Sequence, residues 1–241
     1  MSRWGNGEMQ EMECSEDVQA GPDYHSLTKA QRRYLPVKRL LDILIAGGAC
    51  IVLSPFMAVL CLAIKLDSPG PVIFRQKRVG KDKVLFDIFK FRTMRADAPK
   101  NCPTHLLKDP GRYITRMGRF LRKTSLDELP QLFNILRGEM HIVSSRPALW
   151  NQEDLIRERD RYGVHQIAPG LTGWAQINGR DELSIEEKAG YDGEYIRSLG
   201  LKMDAVCFFK TIAAVLRSDG VTEGESGAER ENGHVAERRG K

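Results

Sequence analysis

Two adjacent carboxylates, Asp127 and Glu128, lie in the segment Lys123-Thr-Ser-Leu-Asp-Glu-Leu-Pro-Gln131, just ahead of an apolar run containing Leu132, Phe133, Ile135 and Leu136. A carboxylate in such a place can cap a helix, attack phosphorus as a nucleophile or ligate a divalent cation, and the spacing admits all three roles. Ser125 and Glu128 have the spacing of a capping box. That register puts Pro130 at the fifth helical position, where its missing N–H leaves a carbonyl unpaired. With Asp127 as N-cap, Pro130 falls at the third position, where no intrahelical donor is required. Asp127 is therefore expected at or beside a helix start. Free N–H groups and the positive end of the dipole make such a start a place where phosphate binds. Two neighbouring like charges also need a cation, which Mg²⁺ or nearby arginines can supply.

The chain is rich in such cations around the pair. Residues 65–123 carry 16 Lys or Arg against 5 Asp or Glu, although the formal charge of the whole chain is only +5. This asymmetry suits lipid headgroups, nucleic acid or a phosphorylated substrate, and it equally suits a solvated basic face. Arg112, Arg116, Arg119 and Arg122 recur at helical spacing, with Tyr113, Ile114, Met117, Phe120 and Leu121 opposite them. The pattern predicts an amphipathic basic helix over 112–123, fit for a membrane surface or for holding phosphates. Nucleic acid is not expected as a partner, because FDIFKFR is the only aromatic-interleaved basic stretch. The five cysteines include no CxxC and the histidines no HxxxH, which argues against a disulfide framework and a zinc site.

Other elements must position these groups. Ile43–Ile64 is a run of 22 uncharged residues, ~33 Å long as a straight helix and sufficient to cross a bilayer core. Ser54-Pro55 at its middle predicts a break, and Lys38, Arg39 and Lys65 flank both ends. Cations on both sides favour an anchor over 34–66 that dips into the membrane and returns, although proline also occurs in true spanning helices. Asp67-Ser-Pro-Gly-Pro71 reads as a turn, Val72–Arg75 and Val84–Phe91 as strands, and Gly80–Lys83 as the hairpin loop between them. Residues 96–111 read as a loop. Asp204 is expected to cap a helix running to Arg217. Residues 1–33 and 219–241 read as a mobile N-terminal tail and a disordered C-terminal tail, which leaves 67–218 as the folded unit after the anchor.

In order along the chain, VKRLLDILIA with Ser54-Pro55, DSPGPVIFRQKRVGKD, FDIFKFRTM, ITRMGRFLRKTSLDELPQLFNILRGEM, Arg146-Pro147, APGLTGWAQINGR and the Tyr191–Tyr195 segment resemble the bacterial sugar transferases, the monotopic phosphoglycosyl transferases. The resemblance covers about three quarters of the chain. It implies an α+β fold: a re-entrant membrane helix, a small mixed domain of helices and short strands, and amphipathic interfacial helices. It further implies transfer of a sugar-1-phosphate from a UDP-sugar donor to polyprenol phosphate, with Mg²⁺ as cofactor. Asp127 would be the nucleophile, with Glu128 its helper and the two together the metal ligands. Arg146, Pro147, Lys90, Arg92 and Arg122 would bind substrate. Inner-membrane lipids would be partners, with the catalytic domain on the cytoplasmic face. A non-catalytic membrane-surface protein with a basic face is the competing expectation. It explains the anchor and the charge asymmetry but not the surroundings of Asp127-Glu128.

One departure stands out. Ser144-Ser145 precede Arg146-Pro147 where the family typically has Gly-Pro. Serine constrains the backbone less than either, so the loop presenting Arg146 is expected to be more mobile or differently shaped.

Overall fold

The computed structural model describes residues 23–95, 97–98, 110–179 and 182–217. The expected tail over 219–241, most of the N-terminal tail and most of the 96–111 loop lie outside the described residues. The first helix, α1 (Lys29–Asp67), begins ahead of the expected boundary at 34. A capping box sets its start: Thr28 Oγ1 accepts from Gln31 N–H, and the Gln31 side chain accepts from Thr28 N–H. Gln31 Nε2 then donates to the carbonyls of Ile196 and Arg197, tying this end of α1 to the end of α6 (Ile185–Arg197).

The break expected at Ser54-Pro55 is absent from the hydrogen-bonded helix, which is assigned without interruption to Asp67. The reason is local. Pro55 cannot donate to the Ile51 carbonyl, and Ser54 Oγ donates to that carbonyl instead at 2.8 Å. The helix is long and apolar enough to cross a membrane by length and composition. Ile51 is 77% and Val52 74% exposed, so its middle is not the covered core helix of a soluble domain. Both flanks nevertheless pack on the same body. Ala46, Ala49 and Cys50 join the main core with Leu132, Ile135, Ile142 and Ile196, and Leu60 and Ile64 form a second cluster with Phe91 and Leu121.

After α1 comes the predicted hairpin. Strand β1 (Ile73–Val79) pairs antiparallel with β2 (Leu85–Phe91), and a short 3-10 turn at Lys81–Lys83 closes it. The basic helix is shorter than its arginine spacing suggests. It is α2 (Arg116–Lys123), capped by Thr115 Oγ1 on Gly118 N–H. Ile114 is withdrawn from it by a bridge to Met94. A 3-10 turn at Leu126–Glu128 leads to α3 (Gln131–Arg137), whose end is held by α1: Arg39 donates to the Ile135 carbonyl and, at 2.9 Å, to that of Leu136. Strand β3 (His141–Val143) pairs in parallel with β4 (Gly170–Thr172). The helix α4 (Glu153–Asp160) lies between them in sequence. Short α5 (Trp174–Ile177), α6 and α7 (Leu201–Arg217) complete the order. Helices with two small two-stranded sheets make an α+β architecture.

Asp204 does not cap α7. It lies inside the first turn and is buried, accepting from Lys38 Nζ and Tyr34 Oη of α1 and from Tyr195 Oη of α6.

Candidate active site

Asp127 is not the N-cap that its spacing suggests. Pro130 holds that place for α3, and Asp127 lies inside the preceding 3-10 turn. Ser125 enters this turn in the left-handed region, at φ 55°, which rotates the following peptides away from an ordinary capping box. Leu126 and Leu129 flank the carboxylates and pack on the cluster of Leu60, Ile64, Phe91 and Leu121. Asp127 and Glu128 are thereby pinned between the α1 flank and β2. Asn134 fixes the other side. It is fully buried, accepts from Phe89 N–H at 2.9 Å, and donates to the Asp87 carbonyl at 2.8 Å and to Glu139 at 2.7 Å. The amide thus docks α3 on the β2 backbone next to Lys90, a positioning role that the sequence reading did not assign.

The structure brings Lys90 and Arg146 to the carboxylates. Lys90 Nζ lies 2.9 Å from Glu128 Oε1 and 3.8 Å from Asp127 Oδ2. Arg146 Nη2 donates to Glu128 Oε1, and its Nη1 donates to Glu128 Oε2 at 3.2 Å. Both Glu128 oxygens are therefore engaged by cations in a bidentate fork plus a lysine. Asp127, one residue away, is buried and faces the same lysine at longer range.

Arg146 is presented by a segment that the departure at Ser144-Ser145 does not loosen. Both serines are buried, Ser144 N–H donates to the Thr172 carbonyl at 2.8 Å, and Gly170 N–H donates to the Ser145 carbonyl at 2.7 Å. The parallel pairing of β3 with β4 continues past Val143 and holds the loop. Gly173 keeps this fit close, because a Cβ there would lie 1.9 Å from the Ser144 oxygen. The Leu171 carbonyl, 3.4 Å from Arg146 Nη1, makes the GLTG segment part of the floor of the site.

Pro147 is buried and contributes its carbonyl, which accepts from Arg78 Nη1 at 3.1 Å. Arg78 was not among the expected residues. Burial, and after it the positive charge of Arg146, lowers its guanidinium to about 10, against a smaller opposing effect of Glu128. Its place at the last turn of β1, beside the RP segment, depends on the Arg78–Leu149 bridge, which sequence spacing does not reveal. Arg122 points its Nε to Thr93 Oγ1 at 2.9 Å, at the end of β2. Arg92 turns from the carboxylates to Ser68 at the foot of α1.

Burial by itself would raise the Glu128 carboxyl. The charges of Arg146 and Lys90, with their hydrogen bonds, outweigh it and hold the group well below the usual carboxylate range. A folded value below the ordinary 4.5 makes ionised Glu128 a stabilising group whose contribution is full above that value and lost as pH falls towards the folded one. Urea unfolding of the wild type and Glu128→Gln should therefore differ most near neutrality, with the gap closing below about pH 4. A gap independent of pH would contradict the pairing.

A divalent cation was expected on Asp127 and Glu128. Among the described residues there is no cluster of three or more His, Cys, Asp or Glu side chains. Among the described residues the expected donors are the Asp127 and Glu128 carboxylates, both of which face Lys90. Such a donor set fits Mg²⁺, which commonly binds through one or two carboxylates together with substrate phosphates and water.

Residues 33–218 match the family model described as bacterial sugar transferase. The chain is 41% identical over 183 residues to the UDP-glucose:undecaprenyl-phosphate glucose-1-phosphate transferase of Escherichia coli (strain K12), covering 73% of this chain and 39% of that protein. It is 37% identical to an Aeromonas hydrophila protein named UDP-N-acetylgalactosamine-undecaprenyl-phosphate N-acetylgalactosaminephosphotransferase, covering 78% of this chain and 45% of the relative. The exopolysaccharide production protein ExoY of Sinorhizobium fredii is 36% identical, with 76% of this chain and 87% of the relative covered. The chain thus spans about two fifths of the length of the first two relatives and most of the third. The match runs through α1, the hairpin, the carboxylate turn and α7, and the chain belongs to the bacterial sugar transferase family.

Proposed function

We propose that the chain transfers a sugar-1-phosphate from a UDP-sugar to polyprenol phosphate at a membrane surface. The observation that carries this reading is the charged cluster around two neighbouring carboxylates: Glu128 is held by Arg146 and Lys90, and Asp127 lies 3.8 Å from the same lysine. A clamped carboxylate is a poor nucleophile and a good organiser. Glu128 fixes the two cations, and we assign the attack on phosphorus to Asp127, its neighbour in the same turn.

In the first half-reaction an Asp127 oxygen attacks the phosphorus that bears the sugar. A P–O bond to the carboxylate forms, the P–O bond of the diphosphate bridge breaks, and UMP leaves with the bridging oxygen. In the second half-reaction a phosphate oxygen of polyprenol phosphate attacks the same phosphorus. The aspartyl bond breaks, Asp127 is regenerated and polyprenol-diphosphate-sugar departs. Lys90 and Arg146 place positive charge where the phosphates gather, and Arg78 behind Arg146 adds to it. Bound Mg²⁺ would be held by Asp127 and Glu128 together with the donor phosphates and would supply further neutralisation of that charge.

The helix α1 supports a re-entrant membrane position. Its apolar middle is exposed, whereas the flanks before and after Ser54-Pro55 both contact one catalytic body. With the helix bent at Ser54-Pro55, that arrangement would put the two ends on one face of a bilayer, which we take as the cytoplasmic face of the bacterial inner membrane. The exposed Arg116, Arg119 and Phe120 of α2 suit the interface beside it.

The names of the relatives include glucose and N-acetylgalactosamine, so the donor is sought in a panel rather than assumed. Purified protein with polyprenol phosphate and Mg²⁺ should release UMP from at least one of UDP-glucose, UDP-galactose and their N-acetylated counterparts. Absence of release with every donor would sink the proposal.

A further inference from the structure

Three charged side chains that are nearly inaccessible to solvent carry a positive charge among the described residues: Lys38, Arg92 and Arg159. Lys38 is paired with Asp204 and Arg159 with Asp192. Arg92, 5% exposed, has no carboxylate partner among the described residues. Its Nη2 donates to the Ser68 carbonyl at 2.6 Å and to Ser68 Oγ at 2.8 Å, both neutral groups. Its Nε and Nη1 are buried without a hydrogen-bond partner. The neighbouring Asp67 is directed elsewhere, accepting from Met117 N–H at 3.0 Å. A buried guanidinium with no carboxylate beside it is strongly disfavoured. It calls for an anion that the described residues do not provide.

Its place says which anion. Arg92 N–H donates to the Val72 carbonyl at 2.8 Å, so the pairing of β1 and β2 runs one residue beyond Phe91. Alternation along the strand then puts Arg92 on the face of Lys90. Lys90 reaches the carboxylates, and Arg92 reaches Ser68, the C-cap of the apolar helix. Phe91, on the opposite face of the strand, packs with Leu60 and Ile64 of α1 and Leu121, and the last turns of α1 before Ser68 also carry the exposed Leu62 and Leu66. A ligand here meets a buried positive charge at the end of an apolar helix whose last turns expose Leu62 and Leu66. That is the chemistry of a phosphate carried on a hydrocarbon chain.

We propose that Arg92 holds the phosphate monoester of the lipid acceptor, which enters along the C-terminal half of α1, and that the Lys90–Arg146 side takes the donor. This assignment rests on the transferase reading above but is tested by binding alone. The probes are farnesyl phosphate as a soluble isoprenyl monoester, inorganic phosphate, and vesicles of phosphatidylglycerol in phosphatidylcholine, each titrated against the detergent-solubilised full chain. Arg92→Gln should weaken farnesyl phosphate on the order of tenfold to a hundredfold, the size expected for lost charged hydrogen bonds. Arg92→Lys, which keeps the charge without the planar fork, should fall between, and it carries the test if the glutamine variant does not fold. Unchanged farnesyl phosphate affinity in the folded variants would overturn the assignment. So would dependence on Arg92 seen only with phosphatidylglycerol vesicles, a headgroup site, or only with inorganic phosphate, a free-anion site. Wild-type protein that releases no UMP from any donor but binds farnesyl phosphate through Arg92 would remove the transferase reading and keep the subsite. An active wild type whose farnesyl phosphate binding ignores Arg92 would do the reverse.

Discussion

Asp127→Asn is expected to abolish UMP release, by at least about 10³-fold in kcat, while leaving the protein folded. The amide is isosteric with the carboxylate but cannot attack phosphorus. The side chain caps no helix, since Pro130 occupies the N-cap of α3, so no helix-capping contribution is lost. Glu128 retains its fork with Arg146 and its bond to Lys90, so the cation cluster stays assembled. The measurement is UMP release with the best donor of the panel, together with the intact mass of protein quenched before lipid is added. Wild type should gain the mass of a phosphosugar and Asp127→Asn should not. A variant that turns over at near wild-type rate, or that still gains the adduct, excludes Asp127 as the nucleophile. Glu128→Gln is the informative companion. It should lower turnover through the loosened Lys90 and Arg146 while still forming the adduct, which separates an organising carboxylate from an attacking one.

The parts of this site that were legible in the sequence are those encoded locally. Gly80 and the charged Lys81–Lys83 turn announce the hairpin that carries Lys90 and Arg92, although its first strand, expected over Val72–Arg75, runs on to Val79. The carboxylate turn was located but misread. Helix-start rules place Asp127 at the cap, whereas the left-handed Ser125 and the packing of Leu126 and Leu129 against α1 produce a separate 3-10 turn. That outcome depends on a helix some sixty residues earlier, beyond the reach of local spacing. Arg78 and Asn134 were missed for the same reason. One acquires its role through a bridge to Leu149, the other by bonding to the β2 backbone, and neither has a local signature. The Ser144-Ser145 departure was read as looseness because backbone freedom was judged residue by residue. Pairing with Thr172 and Gly170 decides it instead.

Asp204 is the clearest case of a long-range role hidden behind a local one, and its replacement is expected to have the largest effect on stability. Lys38 Nζ lies 2.5 Å from Asp204 Oδ2, with the lysine side chain only 2% exposed. Tyr34 Oη is 2.8 Å from the same oxygen, and Tyr195 Oη is 2.6 Å from Oδ1 and 2.9 Å from the Val143 carbonyl. Burial first, and then Asp204, push both phenols upward, so they remain protonated and can donate. One carboxylate thus joins α1, α6, α7 and the strand that leads into Ser144–Arg146. Asp204→Ala strands the Lys38 charge in the interior and should destabilise the protein by about 3–5 kcal/mol. Asp204→Asn keeps one acceptor oxygen and the shape of the side chain and should lose less. Adding Lys38→Met to Asp204→Ala removes the stranded charge and should recover part of the loss, because an apolar pair of similar volume can replace a buried ion pair. Chemical denaturation in a fixed detergent, followed by tryptophan fluorescence, measures all three. An Asp204→Ala variant within about 1 kcal/mol of wild type, or no recovery on adding Lys38→Met, would mean that the lysine reaches solvent once its partner is gone and that α1 is docked by its apolar contacts alone.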